Sequence, residues 1–372
     1  MEIKVDRKAA IKKLRSLVLY PKNGIEAFRS KLEKNFDVVF LPNRVENTEK
    51  VYAGVKCDCL IPEAFVSHRI MLYVHGGSFV GGSRESWRSF CASLANACMS
   101  KLVLPDFRLP PSHPFPAGLE DVQTVFRMMK AEEELLIQKS LNSNSADSKS
   151  AFKSASSSRE NFADEKKSSE VSQPQVSSSE NPLSKNSSSI SPEIILAADS
   201  SGASILMALM FSLSEDFRKS VSKIILFSPW LNLGTDDSVI SSKKKHDEVI
   251  SSEALRFAAD LYTYSSNIKN PLISPLNASP EDFKFFPEIY IQNGEKEILL
   301  EQTHNFKKLL DEANVKNIID VFPKMMYMFQ MADEFLPQSH LAIENIAKWI
   351  NFKPRNVQGN PYKDSVKGPY VF

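Results

Sequence analysis

No uninterrupted apolar run in this 372-residue chain approaches the roughly 20 residues needed to span a bilayer. Nor is there an excess of either charge. Lys and Arg number 46 against 45 Asp and Glu, a formal net charge of +1. A balance that close supplies no field to draw the chain to nucleic acid or to an anionic membrane surface. The one basic run, Lys243-Lys244-Lys245, is the length of an ordinary solvated loop. Cysteine is scarce, with four residues, and their spacings do not make a metal site. Cys57 and Cys59 fall two apart in an alternating, strand-like stretch, and Cys91 and Cys98 seven apart in a helix-like one, so each pair shares a face. Reduced, partly buried thiols are expected. The stretch MEIKVDRKAAIKKLRSLVLYPKNG offers only SLVLY as an apolar core and no small-residue cleavage site. It does not read as a secretory signal, and a cytoplasmic location is expected.

What is present is an alternation of two periods. Short apolar, β-rich runs occur at IMLYVHGG, KLVLPDF, PEIILAAD, KIILFSPWLNL, EIYIQN and IIDVFP. Between them lie stretches of helical period, such as RESWRSFCASLANACMS, LEDVQTVFRMMKAEEELLIQ and EQTHNFKKLLDEAN. That alternation predicts an α/β fold with a mostly parallel sheet and helices on both faces. Residues 1–50 read as one or two amphipathic helices followed by the strand-like FDVVFL, and YAGVKCDCLIP as part of a strand hairpin. The main domain is expected over 51–350, ending in the amphipathic FLPQSHLAIENIAKWI, with 351–372 as a loose polar tail. Residues 140–191 break the pattern, with 20 Ser in 52 positions and few aromatic or β-branched side chains. Such a segment cannot bury enough apolar surface to offset its ordering entropy, and it reads as a disordered insertion.

Two motifs suggest chemistry. The first is Ala198-Asp199-Ser200-Ser201-Gly202, where an apolar strand runs into a small-residue turn and a helix. A nucleophile elbow needs a serine at such a strained turn, with small residues two places to either side. Ser200 is therefore a candidate nucleophile, although an ordinary small-residue helix start has the same composition. The second is VHGGSFVGGS after a buried strand. Glycine lets the backbone approach a ligand without a Cβ in the way, so N–H groups of Gly76 and Gly77, with that of Ser201, could converge on an oxyanion.

These blocks and their order resemble the α/β-hydrolase fold-3 family, the hormone-sensitive-lipase-like esterases. HGGSFVGGS is similar to that family's HGGG loop, with Ser78 in place of the third glycine. PDFRLPPSHPFPAGLEDV resembles its D-Y-R-L-A-P-E-H-P-F-P-A-A-L-E-D stretch, and ADSSGAS its G-D-S-A-G-G turn, with Ala198 in place of the first glycine. The likeness covers roughly residues 60–350. It implies an α/β-hydrolase fold with a small helical cap formed partly by the N-terminal segment. It also implies hydrolysis of carboxylic esters without a cofactor, so that a small acyl-ester or hydrophobic ligand is the expected partner. The sequence leaves the oligomeric state open.

By the same resemblance the catalytic acid falls on Glu297, with Glu295 as a neighbouring alternative. The histidine expected in a context like G-M-P-H-V-F-Q is replaced: the chain reads Lys324-Met325-Met326-Tyr327-Met328-Phe329-Gln330. A phenol with an ordinary pKa near 10 is a very poor base at neutral pH. Of the six histidines, His340 opens the last helix thirteen residues further on, and none lies in a catalytic context. Two functions of different class follow. One is an esterase with impaired catalysis. The other is a catalytically dead relative that binds a hydrophobic ligand or a partner.

Overall fold

The apolar runs meet in one eight-stranded sheet of order β1-β2-β4-β3-β5-β6-β7-β8. Its strands are β1 (Val45–Tyr52), β2 (Val55–Pro62), β3 (Arg69–Val74), β4 (Lys101–Pro105), β5 (Glu193–Asp199), β6 (Val221–Phe227), β7 (Glu288–Gly294) and β8 (Asn317–Phe322). The computed structural model describes residues 5–36, 41–42, 44–156, 191–234 and 247–352, with the side chains of 143–156 left out. Strands β1 and β2 pair antiparallel, as do β2 and β4, and the remaining pairs are parallel. Covered on both faces, the central strands carry no polar alternation. All of β3 is buried, and β5 after its first residue. The predicted hairpin forms, with Ala53 (φ 48°) and Gly54 (φ 92°) both left-handed, as a tight turn between right-twisted strands requires.

Helices α1 (Arg7–Leu14), α2 (Ile25–Phe36), α3 (Arg84–Ala97), α4 (Ala117–Ser156), α5 (Ser200–Ser212), α6 (Glu215–Ser220), α7 (Ser252–Tyr262), α8 (Leu300–Glu312) and α9 (Pro337–Asn351) complete the described elements. Helix α5 is buried from Ser200 to Met210, which explains a sequence apolar nearly all round. Cys57 and Cys59 both lie buried on β2, and all four cysteines are free. Asp58, between the first two, is buried against Arg84 (3.0 Å) and Arg88 (2.5 Å). Removing one partner of such a buried pair costs about 3–5 kcal/mol.

The serine-rich segment of residues 140–191 opens in helix. Helix α4 continues through residue 140 to Ser156. From Leu119 to Ser156 the chain has no Gly or Pro, so backbone hydrogen bonding can continue after the apolar partners run out. The rest of the predicted insertion, 157–190, lies outside the described residues, as do most of FDVVFL, the Lys243–Lys245 run and the tail from 353.

The parallel register sets up the site. Val74 pairs with Ala198, Asp199 with Phe227, Phe227 with Gln292 and Gly294 with Phe322. The carboxyl ends of β3, β5, β6, β7 and β8 therefore align, and the loops leaving them share one edge. The N-terminal segment packs on that edge. The Leu19 N–H bonds Ser78 Oγ (3.1 Å), and Arg29 reaches the carbonyls of Val80 and Pro110.

Candidate active site

Strand β5 turns into α5 at Ser200, whose φ of 47° is left-handed. For a residue with a Cβ this costs on the order of 1–3 kcal/mol and persists only where the surroundings enforce it. Here they do. The Trp230 N–H bonds the Ser200 carbonyl (3.0 Å), and a Cβ on Gly202 would lie 2.2 Å from the Val74 carbonyl oxygen. Ser200 is 2% exposed.

The glycine loop after β3 closes on this turn. A Cβ on Gly76 would stand 2.3 Å from Asp199 Oδ2 and 3.0 Å from Ser200 Cβ. Gly77 (φ 110°) starts a left-handed run through Ser78 and Phe79, and its carbonyl accepts the Gly81 N–H. The Phe79 N–H bonds Ser201 Oγ (3.1 Å), tying the loop to the elbow. Of the three expected donors, Gly76 is already engaged, because its N–H bonds Asp199 Oδ1 (2.9 Å). The N–H groups of Gly77 and Ser201 have no partner among the described residues.

Asp199 Oδ1 also accepts from Tyr73 Oη (2.9 Å) and Trp87 Nε1 (2.8 Å). Burial pushes this carboxyl up to about 7 against the lowering effect of those donors. Nothing in the sequence motif alone singled out this network, since Tyr73 and Trp87 belong to other elements.

The register inferred at Tyr327 places its phenol beside the serine. Tyr327 Oη donates to Ser200 Oγ, and both side chains are buried. Burial holds the phenol well above its ordinary pKa, so it keeps its proton. A phenol that keeps its proton is no general base for the serine.

Glu297 is fully buried in the same region but does not bond Tyr327. Its Oε1 accepts from Ser228 Oγ (2.7 Å) and the Gly294 N–H (2.6 Å), and its Oε2 from Asn293 Nδ2 (2.7 Å). Burial raises this carboxyl to about 8. Ser228, with φ 43°, in turn accepts the Met328 N–H (3.2 Å). Glu297 thus reaches the loop bearing Tyr327 through a serine the sequence reading passed over. Its location at the end of β6, in the block FSPWLNL, was the available signal. Glu295 accepts the Lys324 N–H (2.8 Å) on a more exposed turn.

No histidine among the described residues bonds Ser200. His75 is buried in a ring stack with Phe107 (4.4 Å) and Trp87 (5.1 Å), and burial lowers it to about 4. His340 is exposed, with Nε2 3.2 Å from the Asp333 carbonyl. His246 lies outside the described residues. Among the described residues no cluster of His, Cys, Asp and Glu is arranged to hold a metal, and no helix is long and apolar enough to cross a membrane. A cavity of about 430 Å³ opens between Tyr20 and the segment Asp247–Ser251. None of Ser200, Gly76, Gly77, Glu297 or Tyr327 lines it, although Asp247 in its wall accepts the N–H of Ile298, next to Glu297 (3.0 Å).

Residues 71–331 match the family model described as alpha/beta hydrolase fold. This chain belongs to the α/β-hydrolase fold-3 family. An esterase of Acinetobacter venetianus is 25% identical over 299 residues, 80% of this chain and 79% of that protein. An acetyl-hydrolase of Streptomyces hygroscopicus is 22% identical over 277 residues, 74% of this chain and 73% of that one. Among solved structures, an esterase of the bacterial hormone-sensitive lipase family superimposes with a TM-score of 0.70 at 21% identity, covering 92% of this chain and 96% of that one. The matched stretch takes in the glycine loop, the turn at Ser200, Glu297 and Tyr327.

Proposed function

We propose that this protein keeps an esterase-type ester-binding site and hydrolyses carboxylic esters only weakly. The observation that carries the proposal is the Tyr327 hydroxyl donating to Ser200 Oγ. Attack by Oγ on an ester carbonyl requires the serine proton to leave, and an imidazole normally takes it. In this site the nearest side chain is a protonated phenol, and Glu297 is bound to Ser228. Loss of a triad base typically costs on the order of 10⁴–10⁶ in turnover, and an oxyanion hole alone leaves a residual rate above water. The unpartnered N–H groups of Gly77 and Ser201 are the donors we assign to that hole, while Gly76 shapes the loop. Ser200 is the nucleophile in this scheme, Glu297 the acid position and Tyr327 the occupant of the base position. Residues 5–36 act as part of the cap. The free, buried cysteines fit a reducing, cytosolic setting.

A second function, ligand binding without turnover, is favoured by the burial of Ser200, 2% exposed, and by the aromatic side of the glycine loop, where Phe79 stacks on Tyr262 (3.9 Å) and lies 5.1 Å from Trp230. Fluorophosphonate labelling separates the two. Weak catalysis gives slow labelling and slow p-nitrophenyl acetate hydrolysis, both lost in Ser200→Ala. Absence of any Ser200-dependent signal leaves only the binding function. Ordinary esterase turnover dependent on Ser200 would overturn the proposal.

A further inference from the structure

The N-terminal segment and the stretch Asp247–Ser251 flank the cavity of about 430 Å³. Three contacts fix its walls. Tyr20 Oη donates to the Val249 carbonyl, Arg15 Nε to the Glu248 carbonyl (2.8 Å), and Arg7 pairs with the Glu248 carboxylate. The volume falls within the roughly 300–1,000 Å³ of small-molecule sites. None of the residues assigned to the ester-binding site lines it, so any ligand it takes is bound elsewhere than at Ser200.

The charges around it are unevenly satisfied. Two carboxylates line the cavity, and both are committed. Asp247 Oδ1 accepts the N–H groups of Val249 (2.8 Å) and Ile250 (3.2 Å), and its Oδ2 that of Ile298 (3.0 Å). Glu248 holds Arg7. Three cations line it as well, Arg15, Lys22 and Lys31, all on exposed residues. Among the described residues Lys22 and Lys31 make no ion pair, and Arg15 uses only Nε, so its two terminal nitrogens have no acceptor there. The Asn23 side chain, also in the wall, has no hydrogen-bond partner among those residues either. Tyr20, Val249 and Ile250 make the rest of the lining partly apolar.

We propose that this cavity binds the phosphomonoester group of a soluble organic phosphate. A dianion with three terminal oxygens matches three cations and an amide donor. The Arg15 guanidinium can meet two oxygens at once, and each ammonium supplies a point charge. The organic substituent rests against Tyr20, Val249 and Ile250. A monocarboxylate brings two oxygens and one charge, and leaves a cation unanswered. A cationic ligand is repelled, because the carboxylates in the wall are already paired.

Phenyl phosphate is the probe, titrated calorimetrically into the full chain at fixed ionic strength. The expected result is saturable binding with a Kd on the order of millimolar, as suits a ligand of about eleven non-hydrogen atoms. Inorganic phosphate, which lacks the ring, and benzoate, which lacks the second charge, should each bind at least about threefold more weakly. Lys22→Gln combined with Lys31→Gln should weaken phenyl phosphate at least about fivefold. Both lysines are exposed, so the double variant should keep the wild-type melting temperature. Ser200→Ala should bind phenyl phosphate as wild type does, which keeps this test apart from the question of ester hydrolysis. The proposal is overturned if the heats do not saturate, or if the double lysine variant binds as tightly as wild type. It is also overturned if benzoate or inorganic phosphate matches phenyl phosphate, or if the protein associates with phosphatidate-containing vesicles while phenyl phosphate does not bind.

Discussion

Replacing Tyr327 with histidine tests whether one side chain separates this site from a working esterase. The wild-type phenol donates to Ser200 Oγ; an imidazole in that place can accept instead. A positioned general base contributes about 10²–10⁴ in rate. The full factor is not expected, because Glu297 Oε1 already accepts from Ser228 and Gly294, and Oε2 from Asn293. An imidazole without a well-placed orienting carboxylate loses part of its effect. Only the lower part of the general-base factor is therefore expected, a gain of about 10- to 100-fold in p-nitrophenyl acetate turnover for Tyr327→His. Adding Ser228→Ala frees one acceptor position on Glu297 and should raise the rate further if the new ring can reach it. The gain should vanish with Ser200→Ala and shrink with Glu297→Gln. It should also grow with pH through the imidazole range, near 6.5 for an unperturbed ring, a feature the wild type lacks. A folded Tyr327→His variant within threefold of wild type would refute the reasoning, since the missing base would then not be the limiting defect.

Three further outcomes are expected. Glu297 titrates near 8 in the fold against about 4.5 in the unfolded chain, so the folded state holds the extra proton between those values and stability falls as pH rises through that window. Glu297→Gln should remove this slope, which urea midpoints from pH 5 to 8 would show; Asp199 and Asp247, also raised, are common to both proteins, and equal slopes would mean the carboxyl is ionised throughout. Gly77→Val places a Cβ 2.3 Å from the Gly81 carbonyl oxygen at a φ of 110°, so it should disturb the loop as well as block a ligand, lowering Tm by about 2–6 °C; a variant as stable as wild type would show that the loop can relax. Deleting residues 157–190 and joining the flanks by a short flexible linker should leave Tm within a few degrees, because that composition has little apolar surface to bury, and loss of soluble expression would contradict this.

The sequence by itself determined the sheet and its attachments. Short apolar β-rich runs ending in small residues became β3, β5, β6 and β7, because a strand covered on both faces has no room for polar alternation. Motif composition singled out Ser200 and the glycine loop, and the family resemblance pointed to Glu297 and Tyr327; the structure brings Tyr327 into contact with Ser200. Contacts between loops far apart in the chain were decided by the tertiary structure, since each depends on strand register rather than on neighbouring residues. The Gly76 N–H turns to Asp199 because Val74 pairs with Ala198 and brings the two strand ends together. Glu297 binds Ser228 because β6 lies beside β7, which left an acid identified from sequence without the partner sequence assigned to it. The family resemblance pointed to Tyr327 as standing in the base position; only the packing around Ser200 brought the phenol into contact with the serine and, by burying both groups, keeps the proton on the tyrosine.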